Sequence, residues 1–504
     1  MLATAIFQYL VYHIYQQRYI VQELFFFYPL RSLSNTIMMI VGMAIQSCVF
    51  NSGVANCFEE HYGIERNSVK KRGKIMSIKK RAGMALASVL ALGTIAACGT
   101  QPSTTSSSPA NGSKQLQIFS WWTGVASSKA LAALNTQFVK EYPQFKVINE
   151  AVAGGAGSNA KAVLASRMEA GNPPSTFQVH AGHGQLYSWV QAGDMSSLNA
   201  LYRQQGWYHD YPQSLLNLLT FHGKIYAVPV DMQRGNVLWY NPTLFHRYHL
   251  TPPRTFTQFF QDAQVLKSHG ITPLALANHG NWEATLLWSD VLLGTVGPTQ
   301  YDALLAGHAS WTSPGVVQAT QTFTRMLKYA NTDYTALHWQ QADQLVAQGK
   351  AGMNVMGDWA QGYFTTDLHL TPGTGFGWAP TPGTQGTFAV VSDVFGLPSH
   401  VKNKTATLDY LKVLGSAKGQ AIFNPLKGTF SPRLDANPKA YDAYSRSAMQ
   451  SYKRDKLVLV IGQGAVNPGF TNAVNNAMEI LVSNHNVSQF VHSLASAAQA
   501  NPLP

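Results

Sequence analysis

The order in which short apolar runs, helical patterns and prolines alternate is what most narrows the fold of this chain. "LQIF" (Leu116 to Phe119) reads as a buried strand, and the next segment sets Leu131, Leu134, Phe138 and Tyr142 on one face of a helix that Pro143 stops. "FKVINEAVA" reads as a second strand. A helical stretch through Val163, Leu164 and Met168 follows, and Pro173-Pro174 breaks the pattern before a third strand, "TFQVH". This rhythm predicts an α/β lobe with a parallel sheet and helices on both faces. Ligands bind such sheets beyond the carboxyl ends of the strands. Trp121 and Trp122 stand at the end of the first strand, and Gln178 and His180 at the end of the third, which makes them the first site candidates.

Further along, "FHGKIYAVPVDMQRGNVLWYN" (221–241) predicts a Gly-turned hairpin and then a nearly continuous strand, long enough to pass from one lobe to another. "PPRTFTQFFQDAQVLKSHG" (252–270) predicts a helix capped by Thr255, buried at Phe259, Phe260 and Leu266, and ended by Gly270. "TFAVVSDVFGLP" reads as a second crossing strand, going back. No fixed-period repeat is visible. A body of about 390 residues implies two or three lobes.

Ahead of that body, residues 76–97 carry a basic head (Lys79, Lys80, Arg81), an apolar run from Met84 to Ile95 and small residues leading to Cys98. The run is too short to span a membrane, so the layout predicts an export signal. "IAAC" resembles the bacterial lipobox, in which Cys98 would carry a diacylglyceryl group. The following Ser/Thr/Pro/Gly-rich stretch to residue 114 has no apolar period and predicts a flexible tether. "KKRGKI" precedes Met76, and its residues have purine-rich codons, as a ribosome-binding site would. We therefore expect translation to start at Met76 and residues 1–75 to be upstream sequence read in frame. The other two cysteines, Cys48 and Cys57, fall in that leader, leaving the body without thiol or disulfide chemistry.

The formal charge is +12, but residues 1–97 hold ten of the 36 basic and four of the 24 acidic side chains, leaving 26 against 20 in the remainder. No basic block or stripe marks a nucleic-acid surface. Charged residues make up 12% of the chain, against about 25% in typical soluble proteins. That scarcity suits an acidic medium, where fewer carboxylates means less charge build-up on protonation.

"IFSWW", "FQVHAG", "GKIYAVPV", "PPRTFTQF", "GKAGMNVMGDWAQGYF", "APTPGTQGTF" and "NPLKGTFSPRLD", in this order, resemble the carbohydrate-binding lipoproteins of bacterial ABC importers, with the glucose/galactose- and glucose/mannose-binding proteins as the nearest subgroup. The resemblance spans residues 115–495. It implies a two-lobed, Venus-flytrap α/β fold with two or more hinge crossings, near Pro229 to Asp231 and Ser392 to Val394. Lobe one would be 115–229 plus 390–430, and lobe two 230–389 plus 431–504. It also implies a sugar ligand, a membrane permease served by a separate ATPase, a monomeric protein tethered by lipid on Cys98 at the outer face of the cytoplasmic membrane, and neither cofactor nor metal. The implied sugar contacts are Trp121, Trp122, Gln178, His180, Trp339, Trp359, Asp393, Lys427 and, at a position where relatives usually carry His, Gln463.

The residue types fit that chemistry. A sugar ring has apolar C–H faces and a rim of hydroxyls, so its site needs flat indole walls and paired donors and acceptors, because a buried unpaired polar group costs ~1–3 kcal/mol. Asp393 interrupts the apolar run "AVVSDVFGL" and needs a partner there. Asp358, before Trp359, is expected to cap a helix. His180 and His183 share a helical spacing without the carboxylates or thiolates of a metal set. Relatives usually place an acidic residue shortly after the Trp pair, where this chain has Val125 and Ala126, so the hydroxyl partners differ. Two rivals share the composition. A lipid-anchored glycosidase would need a second carboxyl beside Asp393, with Asp231 or Glu283 as candidates. A surface adhesin would need no transporter.

Overall fold

The structure, a computed structural model, describes residues 114–154, 157–182 and 184–502. The expected upstream stretch, the signal, nearly all of the tether, Cys98 and His183 lie outside the described residues. Among the described residues no helix is long and apolar enough to cross a membrane.

Lobe one is built on a five-stranded sheet in the order Lys146–Ala151, Gln115–Ser120, Thr176–His180, Asp393–Gly396, Ala227–Pro229. The first three strands are parallel, as the alternation predicts, and Asp393–Gly396 runs antiparallel to both of its neighbours. Helix Val125–Glu141 covers the sheet with Leu131, Leu134 and Phe138 fully buried, and Phe138 stacks on Tyr142. It packs along helix Ala417–Lys427, which returns to this lobe late in the chain.

Lobe two holds a four-stranded sheet, Gly377–Pro380, Val237–Tyr240, Ala351–Val355, Thr272–Ala275, and a three-stranded one, Lys456–Leu459, Thr387–Val391, Gln233–Arg234. Fully buried Trp239 centres its core, ringed by Phe364, Phe376 and Tyr444. Helix Phe256–Ser268 starts at Thr255, whose hydroxyl accepts the Gln258 amide, and Gly270 follows it in the left-handed region (φ 73°).

The nearly continuous strand expected within 221–241 is instead four short strands in four different sheets, the first of them in a hairpin turned by His222 and Gly223 at positive φ. Its divisions fall at Tyr226, after Pro229 and at Gly235, and Pro229 and Gly235 are residues that interrupt a ladder. "TFAVVSDVFGLP" likewise divides at Ser392, between a lobe-two strand and a lobe-one strand. A third crossing, after Lys427, pairs Phe430 with Met232. The crossings are bonded to one another: the Val230 amide donates to the Asp393 carbonyl (3.0 Å), and the Ser392 hydroxyl to the Asp231 carbonyl (2.6 Å).

Candidate functional site: a cleft between two lobes

A cavity of about 300 Å³ lies between the lobes, at the small end of ligand pockets. Its lobe-one wall forms where the sheet's strands end and the crossings begin, as expected for an open α/β sheet. Trp121 follows the strand Gln115–Ser120, half-buried and edge-on to His180 with ring centroids 5.1 Å apart. Its indole lies across Gly157 (φ 84°), where a Cβ would come within 2.7 Å of the ring. Trp122 is only 4% exposed: it packs on Phe395 and Phe423, and the Lys427 ammonium stands 4.8 Å from its ring. It reaches the cleft, but most of its surface holds Lys427 in place.

Lys427 ends helix Ala417–Lys427 and joins the crossings electrostatically. Its Nζ is 2.5 Å from both Asp231 Oδ2 and Asp393 Oδ2, and all three side chains are sealed from solvent. Asp393 also accepts from the Gln233 amide (2.7 Å) on Oδ2, and from Gln178 (2.6 Å) and His180 Nε2 (3.3 Å) on Oδ1. Burial alone would push the Asp393 carboxyl up, but Lys427 and His180 outweigh it and hold the group well below its usual range. One cation between two carboxylates leaves an excess negative charge. Burial and repulsion from Asp393 therefore raise Asp231 despite Lys427, while the two carboxylates raise Lys427 against its own burial. Burial lowers His180, leaving the neutral ring. Its Nδ1 accepts from Gln185 (3.1 Å), so Nε2 carries the proton and donates to Asp393.

Trp282, Glu283, Trp339, Trp359 and Gln463 line the opposite side. Trp339 begins helix Trp339–Ala347, edge-on to Tyr363 at 5.8 Å, and Trp359 tilts against Trp282 at 5.9 Å. Gln463 sits in the loop whose Gly464 carbonyl accepts the Gly184 amide of lobe one (2.9 Å). On the other flank, the Thr366 hydroxyl donates to the Leu426 carbonyl (3.1 Å), so the lobes touch on both sides of the cleft.

Eight of the nine expected contacts thus reach one cleft. Gln178 lies one layer behind, its amide N–H spent on Asp393 and its carbonyl accepting the Trp121 backbone amide (3.1 Å). Asp358 does not cap the helix: it occupies the N-cap position without a capping bond, and burial raises its carboxyl well above the usual range. Sequence reasoning missed Gln233, Trp282 and His338 as lining residues and raised Glu283 only as a hydrolase candidate. The one available signal was Gln233 in "VDMQRG", a polar cluster inside a strand-forming run.

Bacterial extracellular solute-binding proteins, as a family, match residues 121–421. The chain belongs to that family. It is 33% identical over 427 residues to the uncharacterised ABC transporter extracellular-binding protein PH1214 of Pyrococcus horikoshii, covering 84% of this chain and 95% of that one. It is 30% identical to a probable sugar-binding periplasmic protein of Mesorhizobium japonicum, over 75% and 89% of the two chains. Among solved structures it superposes on the bacterial solute receptor AcbH, described as exclusive for β-D-galactopyranose, with a TM-score of 0.68, 19% identity, and coverage of 77% and 98%. The two-lobed α/β architecture is therefore the family's, and this solute-binding protein belongs with binding components of ABC transporters rather than with enzymes. The site itself agrees: both oxygens of Asp393 are committed to Lys427, His180 and two amides, which leaves it poorly placed as a glycosidase acid.

Proposed function

We propose that this protein captures a sugar between its lobes and delivers it to the permease of an ABC importer, tethered to the outer face of the cytoplasmic membrane by lipid on Cys98. The observation that carries the reading is one interlobe cleft that combines Trp121, Trp339 and Trp359 with the Asp393–Lys427–His180 cluster. Indole faces suit the C–H faces of a pyranose. Two of the three Lys427 N–H donors go to carboxylates, leaving the third for a hydroxyl. Gln463, on lobe two, supplies both an amide donor and an acceptor. The small cavity favours a mono- or disaccharide. Because both lobes must touch the ligand, binding shifts the population towards the closed form through bending at the three crossings.

Isothermal titration and small-angle scattering test this on a chain starting at Gln115. The expected result is saturable binding of at least one of D-glucose, D-galactose, D-mannose, D-xylose or maltose, with a smaller radius of gyration in its presence and the sugar recovered intact. A bound sugar with no compaction refutes the closure mechanism, and turnover of a glycoside refutes the transport role.

A further inference from the structure

Lobe two contributes a carboxyl that the polar cluster of lobe one does not use. Glu283 begins helix Glu283–Leu305, lines the cleft and is 1% exposed, yet among the described residues no cation pairs with it. Its Oε2 accepts the Trp282 backbone amide (3.3 Å), while Oε1 has no hydrogen-bond partner. The neighbouring Trp282 is 7% exposed, and its Nε1 is likewise without a partner. Both atoms flank Gly280: a Cβ there would lie 2.6 Å from Trp282 Nε1 and 2.8 Å from Glu283 Oε1. A donor and an acceptor on two cleft-lining residues thus lie side by side, buried next to a residue with no side chain.

Two unsatisfied buried groups side by side, each costing ~1–3 kcal/mol, call for a partner that satisfies both. A hydroxyl does so, accepting from the indole N–H and donating to the carboxyl oxygen. An ammonium would pair with Glu283 alone, and a carboxylate with Trp282 alone. Burial raises the Glu283 carboxyl to about 7, against the backbone amides of Glu283, Trp282 and Gly280.

We infer that Trp282 and Glu283 form a hydroxyl-recognition pair on lobe two that fixes which sugar is accepted, an inference that rests on the sugar-binding reading above. The pair is completed only by a ligand that carries a hydroxyl at the matching ring position. A sugar lacking that hydroxyl leaves both groups unpaired again and is rejected by roughly 10- to 100-fold.

The test compares the tightest binder among D-glucose, D-galactose, D-mannose, D-xylose and maltose with its monodeoxy derivatives, by titration calorimetry. Wild type, Glu283→Gln and Trp282→Phe are measured, and ligand-free melting checks that each is folded. Wild type is expected to discriminate against one deoxy derivative by about 10- to 100-fold. Each variant should bind the parent sugar less tightly and bring that ratio close to one. If the parent sugar binds but both variants keep the wild-type ratio, this inference falls and the sugar reading stands. If wild type binds none of the sugars, both fall.

Discussion

Lys427→Met isolates the charge cluster at the crossings, because methionine keeps much of the stem length and removes only the charged end. In the wild type the ammonium sits 2.5 Å from two carboxylates, all three groups being at most 3% exposed. Removing one partner of a buried ion pair costs about 3–5 kcal/mol, since the other charge is left uncompensated. Here two are left, so both carboxyls gain raised folded pKa values. A carboxyl raised in the folded state contributes stability that is complete below its unfolded value, about 3.9 for Asp, and is lost as pH rises through the folded value. Wild-type Asp393 behaves oppositely: held low, its contribution is complete above about pH 4 and disappears only in acid. The deficit of the variant therefore grows as pH rises from 4.5 to 8, reaching about 3–5 kcal/mol at the upper value. Urea unfolding followed by tryptophan fluorescence at the two pH values measures it. An equal deficit at both, or none at pH 8, would refute the account of the cluster.

Three further outcomes follow from the same geometry. Trp359→Ala removes on the order of 100 Å² of apolar wall, about 2.5 kcal/mol at ~25 cal/mol per Å², so titration should show sugar affinity falling roughly 10- to 100-fold with little change in melting temperature. For the wild type, melting temperature should rise as pH falls from 7 towards 5. Burial raises Asp290, Asp343 and Asp358 well above the usual range, Asp262 to about 6 and Glu283 to about 7, and each loses its contribution as pH rises through its folded value. A melting temperature that peaks at pH 8 would contradict this. Gly428→Ala should destabilise the fold by more than about 2 kcal/mol, because φ is 86° and the new Cβ would lie 2.1 Å from the Gly362 amide nitrogen. Denaturant midpoints report that loss.

What the sequence made legible was local. Leu131, Leu134 and Phe138 announced a helix face because the 3.6-residue period is written in the chain, and Thr255 and Gly270 marked helix limits by their backbone chemistry. Trp121 was marked by its place at a strand end, whereas Trp339 and Trp359 came from resemblance, since a tryptophan before or within a helix reads equally well as core. Trp282 and Trp122 show why: both are nearly buried, and only the three-dimensional position of Gly280 or Lys427 tells what their edges face. The run 224–241 misled for a related reason. Its β-forming composition is continuous, whereas its successive pieces pair in four different sheets, so pairing and not propensity divides it. Asp358 failed as a cap because its carboxyl is buried inside the fold, where helix-start preferences no longer decide its direction.

The polar cluster also bears on how such a cleft reaches useful affinity. Gln178 and Gln233 each donate to one oxygen of Asp393, and Gln185 fixes the tautomer of His180, so the groups facing the cleft are oriented by residues that have no need to touch a ligand. Under the proposed function, a sugar entering this wall does not have to order the side chains that receive it, and the entropy saved, ~0.5–1.5 kcal/mol per side chain, appears as affinity. Asp231, Asp393 and Lys427 belong to the three separate crossings, so under the proposed function the cluster that orients the ligand groups is also the joint about which the lobes bend. On the proposed closure, bending and binding therefore share one set of charges. On this reasoning the discriminating contacts belong on the far wall, at Trp282, Glu283 and Gln463, where closure brings new groups to a ligand already seated on lobe one.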